Sequence, residues 1–370
     1  MRLAAAACAL LAALNPLPPT GTSRTLFTLT DHRIDEASGI VAGLATPGVL
    51  YVQNDSGDAA RFFALAADSG ATRAVCSVPG ARNVDWEDMA GGRDAAGTAV
   101  LWIGDIGDND AVRPDVTIYQ VREPVLGSGP CVAPLLASYR LRYPDGAHDA
   151  ETLLYDPTGH RLYVVTKSYG GRSDVYLVPA AAVALTQTMT HVATLTFTLT
   201  GTGGGPIGPL GQLTVTGGAF APDGSVLVLR TYTDLYLYPV TDDDVTGALA
   251  RPPMRVAAPE QPQGEGVTVT AAGPGTLSAV LDSERVGSPV DQVQVSWTTA
   301  ADPEPADPGP AGPELAGPPS VAVASPSTAT GPGRSRLTGA VLVGLAALGL
   351  AGGGLAVLAL VIRPRRHRSR

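Results

Sequence analysis

The chain has 370 residues, of which 45% are hydrophobic and only 5% aromatic, with 44 Gly, 32 Pro and three Cys. That is enough apolar material for a sizeable core, which excludes both a disordered chain and a small disulfide-stapled scaffold. A net charge of −9 argues against a nucleic-acid binder.

The chain opens on Met1 and Arg2, followed by an apolar run from Leu3 to Leu14, the form of a short secretory signal peptide. No clean Ala-x-Ala follows, so cleavage falls anywhere between Ala13 and Arg24, and residues 1–24 are taken as the signal region.

Residues 25–300 carry short runs of period two, rich in Val, Leu, Thr and Tyr and broken by Gly, Pro, Asp and Asn, which predicts an all-β domain. A weak repeat runs through it. Its openings are Asp35-Glu-Ala-Ser-Gly-Ile40, Asp85-Trp-Glu-Asp-Met89, Asp149-Ala-Glu-Thr-Leu153, Thr216-Gly-Gly-Ala-Phe220 and Gly264-Glu-Gly-Val267. Each leads into an apolar strand, a turn such as Asp156-Pro-Thr-Gly159 or Pro222-Asp-Gly224, and a second strand that ends polar. Two further strands follow in most units, such as Arg61–Ala67 with Thr72–Val78, and Val116–Arg122 with Leu135–Arg142. Four strands in roughly 55 residues is the spacing of a β-propeller blade. The expected fold is a five-bladed β-propeller over 25–300, with Leu26–Thr30 supplying the missing outer strand of the fifth blade. Six blades are the alternative if one long unit hides another, and a two-sheet sandwich is the rival fold.

In a propeller, the start of the innermost strand and the end of the second face the same mouth of the channel. That geometry gathers Glu36, Asn54, Asp55, Asp85, Glu87, Asp88, Asp149, Glu151, Lys167, Arg230, Glu265 and Asp282 as candidate ligand-binding residues. Turn chemistry alone also places Asp and Asn at strand ends, but not in register at both ends of successive units. Asp105-Ile-Gly-Asp-Asn109 is the tightest cluster, and Asp105, Asp108 and Asn109 are the candidate ligands for a hard cation such as Ca²⁺. Lys167 is the single Lys in a chain that otherwise uses Arg, which suits a site needing a compact ammonium. Between Thr25 and Ala300, 30 acidic residues face 16 Arg and Lys, so the domain attracts cations.

Cys76 and Cys131 lie in the exported part, where an oxidising exterior favours their one possible pairing. A Pro-, Ala-, Gly- and Ser-rich stalk is expected over 301–336. Leu337–Ile362 is uncharged and longer than the about 20 residues that cross a bilayer. The basic tail Arg363–Arg370 then orients it as a single transmembrane helix with the propeller outside the cell.

Glu36-Ala-Ser-Gly-Ile40, Asn54-Asp-Ser-Gly57, Asp85-Trp-Glu-Asp88, Gly104-Asp-Ile-Gly-Asp-Asn109 and Asp149-Ala-Glu151 resemble secreted actinobacterial β-propeller proteins, loosely related to phytase-like and SdiA-regulated-like propellers. The resemblance covers roughly residues 30–298. It implies carboxylates at the channel mouth that hold Ca²⁺, which in phytases of this fold binds phosphate and activates water. The chain departs from that pattern in lacking a run of basic residues to grip a multiply phosphorylated substrate.

Gly-x-Ser-x-Gly and His-Glu-x-x-His are absent, and His148 beside Asp149 is the one candidate base entering the mouth. The expectation is a membrane-anchored extracellular propeller that binds an unidentified ligand or protein. The alternative is a Ca²⁺-dependent phosphoric ester hydrolase.

Overall fold

A computed structural model describes residues 19–298. The chain divides into two units, Met1–Glu304 and Pro305–Arg370, and the described residues belong to the first. The stalk, the transmembrane span, the basic tail and the apolar run at the start lie outside the described residues. Among those described, no helix is long and apolar enough to cross a membrane.

The elements form five sheets around a common axis, antiparallel except for a short parallel pair at the outer edge of two of them. The first blade holds β2 (Ala37–Ala42), β3 (Val49–Asn54), β4 (Arg61–Ala66) and β5 (Thr72–Ser77). The second holds β6 (Trp86–Arg93), β7 (Ala99–Asp105), β8 (Val116–Arg122) and β10 (Leu135–Arg142), with β9 (Cys131–Val132) reaching back to pair with β5. The third holds β11 (Ala150–Asp156), β12 (Arg161–Thr166), β13 (Arg172–Leu177) and β15 (Thr190–Thr196), and β14 (Gln187–Thr188) pairs with β10. The fourth holds β16 (Val215–Phe220), β17 (Val226–Thr231), β18 (Asp234–Pro239) and β19 (Met254–Ala257). The fifth holds β20 (Gly264–Gly273), β21 (Thr276–Ser283) and β22 (Pro289–Ser296). β1 (Thr20–Thr28) completes it, pairing with β22 from Thr20↔Ser296 to Thr28↔Pro289. The fold is therefore a five-bladed propeller closed by a strand from the chain start.

That closing strand begins six residues before the expected Leu26, within the stretch read as the signal region. Its first residues, Thr20 to Arg24, are polar and exposed at the blade edge, so they carry no apolar period to announce a strand.

The blades differ from axis to rim as a propeller requires. The inner strands are covered on both faces, and β11 is buried throughout. The outer strands alternate, with β10 reading buried and exposed in turn. Turns follow their residues: Asp156 accepts from the backbone N–H groups of Thr158 and Gly159, and Gly224 takes φ +75° in the Pro222-Asp-Gly turn. The apolar clusters sit between neighbouring blades, one of them running from Val100 and Trp102 in blade two to Leu153 and Tyr176 in blade three. A disulfide between Cys76 and Cys131, with Cα atoms 4.4 Å apart, joins the outer edge of the first blade to the second.

Candidate channel-mouth site

Each of the five inner strands is irregular at its first turn. The register slips between Ala37 and Gly39, Trp86 and Asp88, Ala150 and Thr152, Val215 and Gly217, and Gly264 and Val267. A β-bulge re-aims one side chain per strand. The residues inside the five slips are Ser38, Glu87, Glu151, Thr216 and Glu265 with Gly266, at one end of the channel. Three are glutamates, exposed by only 2%, 4% and 1% for Glu87, Glu151 and Glu265.

The layer beneath is closed. A Cβ on Gly39 would lie 2.7 Å from the Met89 nitrogen, one on Gly217 2.5 Å from the Glu265 carbonyl, and one on Gly266 2.8 Å from the Ile40 nitrogen. Strands this close admit no side chain. Asp88 fills the remaining place, accepting from the backbone N–H groups of Leu153 at 2.9 Å and Met89 at 2.8 Å. This waist ties blade two to blade three.

Carboxylates converge above the waist. Single oxygens of Asp55, Asp85 and Glu87 all lie within 4.8 Å of one another, as do those of Glu87, Asp149 and Glu151. Glu87 belongs to both groups. Two backbone features hold them. The Asp108 amide donates to Asp149 Oδ1 at 2.9 Å, and Gly107 leaves room that a Cβ would take, 2.1 Å from Glu87 Oε1 and 2.6 Å from Asp85 Oδ2.

Burial and mutual repulsion shape their charge. Burial, with the charges of Asp85 and Glu151, pushes Asp55 up to about 8. Burial with Glu151 and Asp55 holds Glu87 well above the ordinary range, although Lys167 opposes this. Asp85 is raised by burial and by Asp149 and Asp105, against the pull of Arg113. Glu265 is raised by burial and Glu151, and Glu284 reaches about 7 through burial, Glu151 and Glu36. Burial opposes the charge of Lys167, but Glu151, Glu265 and Glu87 outweigh it and keep the ammonium protonated. Its Nζ donates to Glu151 Oε1.

The expected site residues thus fall into three groups. Asp55, Asp85, Glu87, Asp149, Glu151, Lys167 and Glu265 meet at the mouth, and Glu36 acts on Glu284 beside them. Asp88, Arg230 and Asp282 are not brought to the opening. Arg230 is fully buried, donating to the carbonyls of Gly266 at 2.7 Å and Asp282 at 2.9 Å and to Gln261. Burial pushes its guanidinium down to about 10 against the pull of Asp282 and Glu265. Asp282 accepts from the Gly266 amide at 2.8 Å, and Asn54 braces Arg33 and Asp58. The third group is the tight Asp-Ile-Gly-Asp-Asn cluster. Asp105 is paired with Arg113 at 2.8 Å, Asp108 accepts from the Arg113 amide at 2.6 Å, and Asn109 is exposed. That loop shapes the site through Gly107 and the Asp108 amide. His148 lies with Asp145 at 3.1 Å and Tyr176 at 3.3 Å.

Sequence reasoning missed Ser38, Thr216 and Glu284. Ser38 donates to Glu87 at 3.4 Å, and Thr216 bonds the carbonyls of Gly264 and Glu265. Aligning the five openings on the bulged position would have found the first two, which occupy the places of the three glutamates.

No protein-family model and no curated protein matches the chain. Among solved structures it is similar to Chaetomium thermophilum Sqt1 bound to the N-terminus of the ribosomal protein L10, at 15% identity over 73% of this chain and 66% of that one, with a TM-score of 0.32. Sqt1 on its own gives 13% identity, 70% and 61% coverage, and a TM-score of 0.30. A chain of a mitotic checkpoint complex gives 12%, 77% and 72%, and 0.34. The chain spans less than two-thirds of the length of the two Sqt1 structures.

Proposed function

We propose that this chain is a ligand-binding propeller whose acidic mouth captures a hard divalent cation such as Ca²⁺. The observation that carries it is the Asp55, Asp85 and Glu87 group. Three carboxylates approach within 4.8 Å, and none of them belongs to an ion pair among the described residues. Their ligands are all oxygen, as Ca²⁺ prefers. One oxygen of the buried Glu265 close by also has no hydrogen-bond partner among the described residues. In the second group Lys167 already neutralises Glu151, so the first group is the one that would hold the ion. A bound cation supplies the positive charge that the raised carboxyls lack, and it offers a partner's carboxylate, carbonyl or phosphate a point of attachment.

The proposal places this module on the outer face of a cell membrane, carried by the span 337–362 on the stalk 301–336. The disulfide supports it, because such bonds persist outside the reducing cytosol.

Calorimetric titration of the full chain with Ca²⁺ in two buffers of different ionisation enthalpy tests the reading. Saturable binding with proton release is expected, lost in Glu87→Gln. Heats no greater than dilution would remove the cation from the account.

One observation favours a second reading. Glu87 is shared between the two groups, an arrangement that suits two metal ions acting on a phosphate ester. The resemblance to phytase-like propellers points the same way. Metal-dependent turnover of p-nitrophenyl phosphate that disappears with Glu87→Gln would establish it, and its absence in a chain that binds Ca²⁺ would leave the binding module.

A further inference from the structure

Below the waist the channel opens again, at the end away from the carboxylates, into a cavity of about 610 Å³ walled by all five inner strands. Its character is the reverse of the mouth. Val41, Ala219, Phe220 and Val269 give it apolar surface, with Thr268, Thr270 and Asp94 among its polar lining. This volume lies within the range of about 300–1,000 Å³ of small-molecule sites. Water gains few hydrogen bonds from the apolar part, whereas an apolar occupant is stabilised by the surface it covers.

One side of the cavity is polar and held rigid. The Tyr155 ring lies against Gly92, where a Cβ would come within 2.5 Å of it, and stacks on Trp102 with centroids 3.9 Å apart. The Tyr155 hydroxyl donates to the Arg93 carbonyl. Its one proton is then used, so the 2.6 Å contact with His160 Nδ1 is a bond donated by the imidazole. In the neutral ring this leaves Nε2 as a hydrogen-bond acceptor. His160 sits at φ +50°, a conformation few side-chain-bearing residues adopt, and it lines both this cavity and an adjoining one of about 630 Å³ between blades two and three.

We propose that this second end of the channel binds a small, largely apolar molecule with one hydroxyl group, its body against Val41, Phe220 and Val269 and its hydroxyl donating to His160 Nε2. The site is separate from the mouth and does not depend on the cation reading.

The test uses two probes of nearly equal size, 2-naphthol and 2-methoxynaphthalene, titrated into the full chain with a fluorescence readout at neutral pH. One saturable site is expected, with 2-naphthol bound about tenfold more tightly than its ether, the value of one well-made hydrogen bond. His160→Gly removes the acceptor while placing Gly at a φ it adopts freely, and should bring the two affinities together. Ala219→Leu, which fills part of the cavity, should weaken both probes at least tenfold without changing Ca²⁺ binding. Absence of saturable binding by either probe, or binding that Ala219→Leu leaves intact, would overturn the site. Equal affinities in the unaltered protein would overturn the role of His160.

Discussion

The mouth and the waist of this channel are adjacent layers of the same five strands, and both contain buried acids, yet they treat charge in opposite ways. At the waist each charged group has a local partner, although Arg230 Nε and Asp282 Oδ2 make no hydrogen bond among the described residues. Asp88 accepts from two backbone N–H groups, Asp282 from one, and the two terminal nitrogens of Arg230 donate to two carbonyls and Gln261. At the mouth, carboxylates face each other, and Lys167 is the ammonium among them. Buried polar groups with partners hold a fold together, whereas unanswered ones cost stability and mark a place that waits for a ligand. The same residue type, Asp or Glu at the start of an inner strand, therefore serves architecture in one layer and, in the proposed reading, binding in the next.

The comparison breaks most readily at Arg230. Arg230→Ala removes the cation joining blades four and five and should cost about 3–5 kcal/mol in denaturant unfolding, the usual penalty for deleting one partner of a buried charged network. An effect below about 1 kcal/mol would place Arg230 outside the structural layer. Cys76→Ser comes next, with an expected loss of about 2–4 kcal/mol in the same measurement under non-reducing conditions.

Mouth substitutions should have the opposite sign. Glu265→Gln relieves repulsion with Glu151 and should stabilise the cation-free protein by about 1 kcal/mol. Acidity gives a related check. The folded state raises Asp55 to about 8 and Glu284 to about 7. It therefore holds protons that the unfolded chain releases near the ordinary carboxylate range, and stability falls wherever the folded state binds more protons. Cation-free protein should lose melting temperature steadily from about pH 5 to pH 8, and saturating Ca²⁺ should flatten that slope. A melting temperature that rises over this interval without cation would contradict the charge assignment at the mouth.

The smallest effect sharpens the picture of what holds the site. Gly107→Ala should cost little stability but push aside Glu87 and Asp85, weakening Ca²⁺ roughly tenfold or more, as changes behind a ligand commonly do. Unchanged Ca²⁺ affinity would show that the carboxylates find other positions.

Most of the fold was legible in the sequence, because turn residues and apolar runs recur at blade spacing. The openings at Asp85-Trp-Glu and Asp149-Ala-Glu led directly to two of the glutamates that meet. Less of the site was legible. A bulge adds one residue to a strand and so breaks the period of two at the very place where the side chains of the mouth stand. Acids on either side of it look alike in sequence, which is why Asp88 and Asp282 were grouped with Glu87 and Glu265. Ser38 and Thr216 share the bulged position but carry no charge to attract notice. Arg113, which holds Asp105, comes eight residues later across a loop whose path the sequence does not reveal.

The most direct test is thermal unfolding of the full chain, unaltered and with Glu87→Gln, in EDTA and in excess Ca²⁺. A ligand that binds only the folded state raises the melting temperature by mass action. The account predicts that in EDTA the variant melts higher than the unaltered protein, and that Ca²⁺ raises the unaltered protein alone. A variant that melts lower in EDTA, or responds to Ca²⁺ as the unaltered protein does, would contradict the division between mouth and waist.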